Sequence, residues 1–201
     1  DASQLEQVQT KAPGLIDELR GIKHSIDKIR STTSMDAEIA TIDERLQALS
    51  MMPVVRASEG TTAYAEPSSQ FLPEEAKRRS LRSSRLIVGI SSIEENARRR
   101  RNNYERWLAA VSVLANCQPL YPELPKHCIP YMFPLHINIP DPHFYWLKHL
   151  GVPIWRWDEM ATSDCPVATD YRQHLLHLPC HQSLSEAQLD WMIAAVSKTL
   201  R

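Results

Sequence analysis

The sequence predicts an α+β fold: a small, mostly antiparallel sheet covered by helices and preceded by an α-helical hairpin and a long connecting helix. Apolar residues near the start and in the middle of the chain recur at alternating spacings of three and four, which is typical of amphipathic helices. Residues 131–139 instead alternate between apolar and mixed positions, as a half-buried strand does. The last residues return to helical spacing, so helices flank the strands on both sides along the chain.

Length and composition limit the classes of protein to which the chain can belong. Its 201 residues, 43% hydrophobic and 23% charged, are enough for one good core with an appendage. The net charge of -1 gives no electrostatic reason to expect nucleic acid or an anionic membrane as a partner. No apolar stretch approaches the roughly 20 residues that a membrane helix needs. We therefore expect a globular chain with no nucleic-acid partner and no membrane partner.

Cysteine and glycine usage indicate the compartment and argue against one kind of site. The four cysteines are scattered without a CxxC pair, and residues 1–30 show no signal peptide. We therefore expect reduced thiols and a cytoplasmic location. The chain has only 5 glycines and no GxGxxG or Walker pattern, so we expect no self-contained nucleotide-binding domain.

Residues 1–50 are predicted to form the helical hairpin. Two narrow apolar stripes follow each other, with a break in phase at residues 31–34, a run that favours turns. The hairpin either packs on its own protein or offers a coiled-coil surface to a partner, and both alternatives stay open. The stripes consist of Leu15, Leu19, Ile22, Ile26 and Ile29, and of Met35, Ile39, Ile42, Leu46 and Leu49.

Residues 51–73 are predicted to be a linker or an extended arm, because they show no periodicity and are rich in small polar residues. Residues 74–116 follow as basic connecting helices. The second of these helices begins with a capping box, Ser92 and Glu95, and carries four consecutive arginines at 98–101. Successive side chains on a helix point about 100° apart, so these arginines cannot form one flat phosphate-binding face.

Residues 117–201 are predicted to form the small α+β domain. In the strand at 131–139 the odd positions form the core face, and Pro134 indicates an edge strand or an N–H position that faces away from a neighbour. The next helix has Asp141 as N-cap and Pro142 at its first position, and Gly151 ends it. Its buried side consists of Phe144, Leu147 and Leu150.

Two further strands and a last helix complete this domain. Residues 152–155 and 175–178 are predicted to be short strands. The last helix starts with a capping box, Ser185 and Gln188, beside a hydrophobic staple of Leu184 and Leu189. Its apolar stripe is Leu189, Ile193, Val196 and Leu200.

Three runs of residues follow one another in the second half of the chain: Arg100-Arg101-Asn102-Asn103-Tyr104 with Leu108, Gly151-Val152, and Leu178-Pro179-Cys180-His181. With these runs the chain, from about Ser84 to Arg201, resembles the C-terminal small domain of the DegT-like sugar aminotransferases. These are pyridoxal-phosphate (PLP) enzymes of the aspartate aminotransferase fold. The first run is similar to the family's run at the entry to the small domain, and the other two are similar to its strand and to its turn before the final helix.

The resemblance implies that this chain is the C-terminal portion of a PLP-dependent aminotransferase. PLP would be the cofactor of the full-length enzyme, and none is expected to be bound by this chain alone. The catalytic lysine of the family lies on a loop with Ser or Gly neighbours, and none of the seven lysines here has that setting. It is therefore expected N-terminal to Asp1. The implied partners are the N-terminal large domain of the same protein, a second copy in a homodimer, and a small-molecule substrate.

The resemblance also implies where substrate would be contacted. Trp155-Arg156-Trp157-Asp158 stands where the family has a His-Tyr pair, so the contact differs here. Arg156 is the best candidate, because a guanidinium binds the carboxylate of an amino donor in a bidentate manner. Trp155, Trp157 and His181 complete the predicted substrate-binding set. For both Arg156 and His181 a structural role stays open, with Arg156 held between Trp155 and Trp157 or paired with Asp158 and Glu159.

No catalytic, cofactor-binding or metal-binding residue is predicted in this chain. His174 and His177 have a spacing that suits a metal on a helix, but residues 175–178 read as strand, where i and i+3 point to opposite faces. The predicted function is amino-group transfer to a keto-sugar or related carbonyl compound by the full enzyme, with this chain inactive alone. The alternative is a non-catalytic interaction protein that uses the N-terminal hairpin.

Overall fold

A computed structural model describes residues 11–31, 39–53, 78–157 and 163–201. The chain divides into two compact units, unit 1 with residues 1–35 and 63–92, and unit 2 with residues 36–62 and 93–201. The predicted linker at 51–73 lies almost wholly outside the described residues, and the domain boundaries predicted above stay a prediction. In the described ranges no helix is both long enough and apolar enough to cross a membrane.

The described ranges contain seven α-helices and three strands. The helices are α1 (Leu15–Ser31), α2 (Ile42–Ser50, preceded by a 3-10 turn at Ile39–Thr41), α3 (Arg82–Ile90), α4 (Ile93–Val111), α5 (Pro140–Leu150), α6 (Pro166–His174) and α7 (Glu186–Thr199). The strands are β1 (Cys117–Pro119), β2 (Met132–Ile137) and β3 (Leu175–Pro179).

Unit 1 is built from α1 and α3, which pack on each other. The carboxylate of Glu18 on α1 accepts hydrogen bonds from the backbone N–H groups of Arg82, at 2.6 Å, and Ser83, at 3.2 Å. These are unpaired donors at the start of α3, and the bond from Arg82 is the main reason why the pKa of Glu18 lies below its usual value. One carboxylate therefore fixes the start of α3 against α1.

The two helices predicted to form a hairpin have different neighbours. The first helix, α1, packs on α3 within unit 1, whereas α2 packs on α5 and α7 within unit 2. Ile42 of α2 is fully buried, while the stripe on α1 stays in solvent, with Leu15 85% and Leu19 67% exposed. Of the second stripe, Ile42 belongs to the core of unit 2, Leu46 and Leu49 are half-buried and Ile39 is exposed. Met35 and most of the turn predicted between the helices lie outside the described residues.

The sheet of unit 2 confirms the predicted α+β class. Its three strands are antiparallel in the order β1-β2-β3, with Cys117 opposite Ile137 and Leu135 opposite Leu176. Side chains on a strand alternate between faces, and the odd positions of β2 (Phe133, Leu135 and Ile137) are fully buried. Helix α4 covers this face, with the rings of Tyr104 and Trp107 centred 4.7 Å and 6.2 Å from Phe133.

Three expectations for this strand need correction. It begins at Met132 and ends at Ile137, so Tyr131 and Ile139, predicted on the core face, are exposed. β2 is the central strand of the sheet, so Pro134 does not mark an edge. The carbonyl of Pro134 still accepts a 3.0 Å hydrogen bond from the backbone N–H of Leu120, so the position keeps one link to its neighbour.

Polar side chains of α4 hold two loops of unit 2 in place. Arg100 donates to the side chain of Gln182 at 2.7 Å and to the carbonyl of Pro130 at 3.1 Å. Arg101 donates to the carbonyls of Pro125, at 2.8 Å, and Cys128, at 2.6 Å. These bonds link α4 to loops of its own unit.

Helix α5 begins differently from the prediction and ends as predicted. Asp141 has non-helical backbone angles, and its carboxylate lies 3.5 Å from the guanidinium of Arg156 instead of capping the helix. Gly151 ends the helix with a φ of 99°, the left-handed region that glycine adopts without strain. The predicted buried side is confirmed for Phe144, Leu147 and Leu150.

The remaining predicted elements have mixed outcomes. Residues 152–155 do not form a strand; Trp155 makes a single antiparallel bridge to His177 of β3. The strand predicted at 175–178 is confirmed as β3. The capping box of α7 is also confirmed, with Ser185 and Gln188 exchanging bonds of 3.2 Å and 3.0 Å. In the stripe of α7, Leu189, Val196 and Leu200 are buried and Ile193 is half-buried.

Candidate functional site

The polar groups of unit 2 collect on the face of the sheet that α4 does not cover. The even positions of β2 include His136, and in β3 the residue opposite Pro134 is His177. Since side chains alternate along both strands, these two histidines share one face, opposite the buried Phe133 and Leu135. Helix α6 packs against β2 and β3 on this side and places further polar side chains beside His136.

Three side chains of this face meet in one cluster. The Nε2 atom of His136 lies 2.9 Å from Oδ2 of Asp170, and Nδ1 of His174 lies 3.1 Å from Oδ1 of the same carboxylate. The two imidazole rings stack nearly parallel, with centroids 5.4 Å apart and planes inclined by 13°. We call His136, Asp170 and His174 the His-Asp-His cluster. One carboxylate thus bridges two imidazoles that are separated by 38 positions in the sequence.

Local sequence explains why the cluster forms. Pro166 starts α6 at a position where its missing N–H is no loss, and the helix ends at His174, where the chain enters β3. Asp170 and His174 are four positions apart on this helix, so their side chains lie on the same face, one turn apart. Strand β2 then brings His136 to them from the sheet.

A second pair lies on the same face of the sheet. The indole N–H of Trp157 donates to the ring of His177, and the two rings meet edge to face with centroids 5.2 Å apart. Burial lowers the pKa of His177 below its usual value, which favours the neutral ring. A neutral imidazole offers the acceptor nitrogen that this bond requires. The segment that carries Trp157 is also held by the bond from the His177 backbone N–H to the carbonyl of Trp155, at 2.9 Å.

Arg156 lies away from this pair, against α5. Its side chain is only 4% exposed, with its guanidinium 3.5 Å from the carboxylate of Asp141 and stacked 4.2 Å from the centre of the Phe144 ring. It also donates to the hydroxyl of Tyr145 at 3.4 Å. Arg156 therefore forms an ion pair with Asp141, while the predicted partners Asp158 and Glu159 lie outside the described residues. A substrate carboxylate would have to exchange with Asp141 to reach this guanidinium.

The other predicted site residues lie in different places. Trp155 and Trp157 are both exposed, and Trp155 is covered on one face by the ammonium of Lys148, 4.9 Å from the ring centre. His181 lies in the turn after β3, where its Nδ1 accepts from the hydroxyl of Ser183 at 2.7 Å. Its carbonyl accepts from the side chain of Asn103 on α4 at 3.0 Å. The structure brings Trp155 and Trp157 to the His177 edge of the sheet and gives His181 contacts within its turn.

The described lysines are exposed or make contacts within the chain. Lys148 donates to the carbonyl of Ile154 at 3.3 Å, and Lys198 pairs with the carboxylate of Asp43. Lys11, Lys23 and Lys126 are exposed, and the side chains of Lys28 and Lys77 lie outside the described part of the chain.

Comparison with known proteins bears on the fold. No family model matches the chain, and no curated protein sequence matches it. Among solved structures, the Streptoalloteichus hindustanus aminotransferase TlmJ matches with 24% identity and a TM-score of 0.48 over 54% of this chain and 32% of TlmJ. S. venezuelae DesV, solved in complex with a ketimine intermediate, matches with 14% identity and a TM-score of 0.51 over 71% of this chain and 42% of DesV.

A Brucella abortus aminotransferase described as DegT DnrJ EryC1 StrS matches with 20% identity and a TM-score of 0.45, over 60% of this chain and 34% of its own length. TlmJ and the Brucella abortus protein are described as aminotransferases, and this chain spans 32% to 42% of the lengths of the three neighbours. At such identities the likeness concerns the fold alone. We rest the fold comparison on DesV, with which this chain shares an arrangement of helices around a small sheet.

Sequence reasoning missed the His-Asp-His cluster. It tested His174 against His177, which the helix-to-strand change at Leu175 separates, and did not test Asp170 against His174. The spacing of four between these two residues was a usable signal, provided that residues 166–174 were recognised as a helix. The third member, His136, was not accessible in this way, because only the packing of α6 on β2 brings it near.

Proposed function

We propose that this chain forms the small-domain portion of a PLP-dependent aminotransferase that transfers an amino group to a keto-sugar or related carbonyl compound. The observation that carries the proposal is the fold shared with DesV, an enzyme solved with a ketimine intermediate. The sequence motifs at residues 100–108, 151–152 and 178–181 support it independently, because they resemble the same family.

The residues described here do not fit PLP by themselves. No lysine in the described ranges has the desolvated setting that covalent attachment of PLP requires, as the contacts of Lys148 and Lys198 illustrate. We therefore derive no chemical step through PLP in this chain. The proposal assigns the cofactor, the catalytic lysine and the phosphate contacts to a large domain of the same protein, and it assigns a second subunit to the complete enzyme.

In this proposal the chain contributes substrate contacts. Trp155 and Trp157 present exposed rings on the segment beside His177, which suits an apolar or sugar-like surface. Arg156 would bind the carboxylate of the amino donor in place of the carboxylate of Asp141. Such an exchange replaces one carboxylate by another at a nearly buried guanidinium, so the charge stays paired throughout.

Borohydride trapping tests the proposal. The protein encoded by the complete reading frame that contains this chain would be incubated with PLP, reduced and mapped by peptide mass spectrometry. We expect one reduced adduct per chain, on a lysine outside residues 1–201, and only scattered substoichiometric adducts on residues 1–201 expressed alone. A stoichiometric adduct on one of the seven lysines of this chain would contradict the assignment. So would a complete protein with no trapped lysine.

Substitution of Arg156 tests the donor contact in the complete protein. Arg156→Gln removes the charge, and we expect KM for a dicarboxylate amino donor to rise by at least about tenfold, since a charge-assisted bidentate contact is worth 1.5 kcal/mol or more. Arg156→Lys keeps the charge and should have an intermediate effect. Unchanged KM values in both variants would assign Arg156 to its structural pair with Asp141.

One observation favours a second candidate function, a non-catalytic interaction protein. The stripe of α1 is exposed at Leu15 and Leu19, and an unpartnered apolar helix face suits a helical partner. This candidate predicts a complete protein that traps no PLP adduct and associates through α1. Leu15→Gln with Leu19→Gln should then abolish association in sedimentation experiments, whereas an aminotransferase with the same substitutions should keep its trapped lysine.

A further inference from the structure

We propose that the His-Asp-His cluster is a binding site for one divalent transition-metal ion, with zinc as the best match to its ligands. The site lies on the face of the sheet opposite α4 and uses none of the residues assigned above to substrate. It rests on the geometry of His136, Asp170 and His174, one ligand atom from each residue lying within 4.8 Å of the others.

The distances within the cluster suit a metal ion at its centre. Zinc binds imidazole nitrogen and carboxylate oxygen at about 2.0–2.2 Å in tetrahedral sites, so neighbouring ligand atoms lie about 3.3 Å apart. The two contacts seen here, from Nε2 of His136 and from Nδ1 of His174 to the Asp170 carboxylate, are 2.9 Å and 3.1 Å. The cluster's ligand atoms all lie within 4.8 Å of one another, so metal binding requires the two imidazole nitrogens to approach each other by at most about 1.5 Å.

The ligand chemistry selects the class of ion. Two imidazoles and one carboxylate form a borderline donor set, which favours zinc and neighbouring transition metals. Calcium requires six to eight oxygen ligands and magnesium a near-octahedral set of oxygens, and one carboxylate supplies too few of either. Three protein ligands leave a fourth position for water or another small ligand, as in zinc sites that carry out chemistry.

The cluster is held in place on the sheet side and open on the other. The side chain of His136 is 15% exposed and that of His174 26%, while Asp170 is 44% exposed, so an ion can reach the carboxylate from solvent. The Nδ1 atom of His136 is buried without a hydrogen-bond partner among the described residues, which leaves Nε2 as the coordinating atom of that ring. The nearby Tyr171 ring, 6.2 Å from His136, limits its rotation.

A purely structural role is the competing account. In that account the carboxylate of Asp170 is hydrogen-bonded to His136, Nδ1 of His174 is hydrogen-bonded to the backbone carbonyl of Asp170 at 3.1 Å, and the cluster only ties α6 to the sheet. The two accounts differ in one measurable respect. In a hydrogen-bonded bridge, the ring nitrogens of His136 and His174 keep their protons and the cluster has no affinity for zinc. In a metal site, the bound ion replaces both of these protons.

Zinc binding to the untagged chain tests the proposal. Competition against a chromophoric chelator would give stoichiometry and affinity for the wild type and for three variants. We expect one zinc per chain, bound at least about tenfold more weakly by His136→Gln and by Asp170→Asn, since loss of even a supporting group in a zinc site has that effect. The matched control is His127→Gln, an exposed histidine beside Cys128, which should keep wild-type affinity.

Two further measurements keep the result interpretable. Far-UV circular dichroism of each variant checks that the fold is retained, and Asp170→Asn preserves the size of a partly exposed side chain. Cobalt(II) in place of zinc should give the intense visible absorption of a tetrahedral site in the wild type and lose it in Asp170→Asn. No zinc bound, or equal affinity in Asp170→Asn, or loss of binding only in His127→Gln, would overturn the proposal. None of these readouts depends on PLP.

Discussion

At the scale of single residues, burial decides the chemistry of the four cysteines. Cys180 is fully buried between β3 and the loop before β2, with its Sγ atom 3.8 Å from the carbonyl of Pro130. Burial raises the pKa of the Cys180 thiol to about 12 and that of Cys117 to about 11. Cys128 and Cys165 are exposed. The same residue type therefore occurs here in two different reactive states.

Thiol labelling should divide the cysteines accordingly. A thiolate is the reactive species, and a raised pKa reduces its fraction at neutral pH. In the native protein, Cys128 and Cys165 should react with an aromatic disulfide reagent, while Cys117 and Cys180 should react only after denaturation. Peptide mapping after brief labelling identifies the modified residues. Rapid native labelling of Cys180 would show that the packing of β3 against α4 opens readily.

At the scale of elements, the ends of helices decide much of the local structure. Gly151 is the left-handed residue after α5, and Gly89 lies within α3 with no atom near the position that a Cβ would take. Gly151→Ala should destabilise unit 2 by about 1–2 kcal/mol, because alanine is strained at a positive φ. Urea denaturation followed by tryptophan fluorescence measures this effect, since all five tryptophans lie in unit 2.

The matched control is the same substitution at Gly89. There the backbone is helical, so Gly89→Ala should favour α3 by about 0.5–1 kcal/mol. Because α3 belongs to unit 1, the tryptophan transition should not move. Equal destabilisation by both substitutions would mean that the positive φ of Gly151 has no special cost.

The ion pairs in the first turn of α4 predict how the stability of the protein depends on pH. Hydrogen bonds from Arg98, at 2.7 Å and 2.9 Å, and from Arg99 lower the pKa of Glu95 from 4.5 to about 2. A carboxyl group with a lowered folded-state pKa contributes stability above its unfolded pKa, and loses it as pH falls through the folded value. Glu95→Gln should therefore lower Tm at neutral pH, and the difference should shrink between pH 4.5 and about 2.

Glu94→Gln is the control for this effect. Glu94 is an exposed acidic residue in the same first turn, so its substitution removes the interaction with the helix dipole without touching the arginine pair. Thermal melts followed by circular dichroism should show a smaller loss for Glu94→Gln than for Glu95→Gln. Identical losses would assign the whole effect to the dipole.

Elements with local signals were predictable from the sequence. The capping box of Ser185 and Gln188 predicts the start of α7, and Gly151 predicts the end of α5. Both predictions are confirmed. Helix α6 lacks such a signal, because it is short, mostly exposed and mixed in polarity, so its Asp170–His174 pair escaped notice. Asp141 is a residue type that favours the N-cap position, so a cap was predicted there. Its carboxylate instead pairs with the charged side chain of Arg156.

Contacts between segments that are distant in the sequence limit how much of the candidate site could be predicted. His136 and Asp170 come together only because α6 packs across β2, and no spacing in the sequence encodes that packing. The same holds for the placement of Arg156 against Phe144. For Arg156, Trp155, Trp157 and His181, the assignment to substrate stays a prediction, and the experiments above decide it.

At the scale of the whole molecule, the two units bury apolar side chains to different extents. Unit 2 encloses residues such as Trp107, Phe133 and Met192 completely, whereas in unit 1 the apolar residues of α1 and α3 stay largely exposed. Hydrophobic stabilisation follows the apolar area removed from water. Unit 1 should therefore lose its helices at lower urea concentration than unit 2.

Two optical probes separate these transitions. Far-UV circular dichroism reports helices of both units, and tryptophan fluorescence reports unit 2 alone. The dichroism curve should begin to fall at lower urea than the fluorescence curve, since coincident curves are the mark of two-state unfolding. A single shared transition would mean that the two units unfold as one.

Helix α4 contacts segments that come much later in the sequence, which affects when these contacts can form during synthesis of the chain. Arg106 of α4 pairs with Glu186 and Asp190 on α7, and the indole of Trp107 donates to the carbonyl of Pro179 at 2.9 Å. A growing polypeptide emerges from the ribosome with α4 long before these partners exist. Until residues 186–200 have been translated, the apolar face of α4 has no final helix beside it. During that interval α4 lacks the contacts that fix it to α7 in the folded unit.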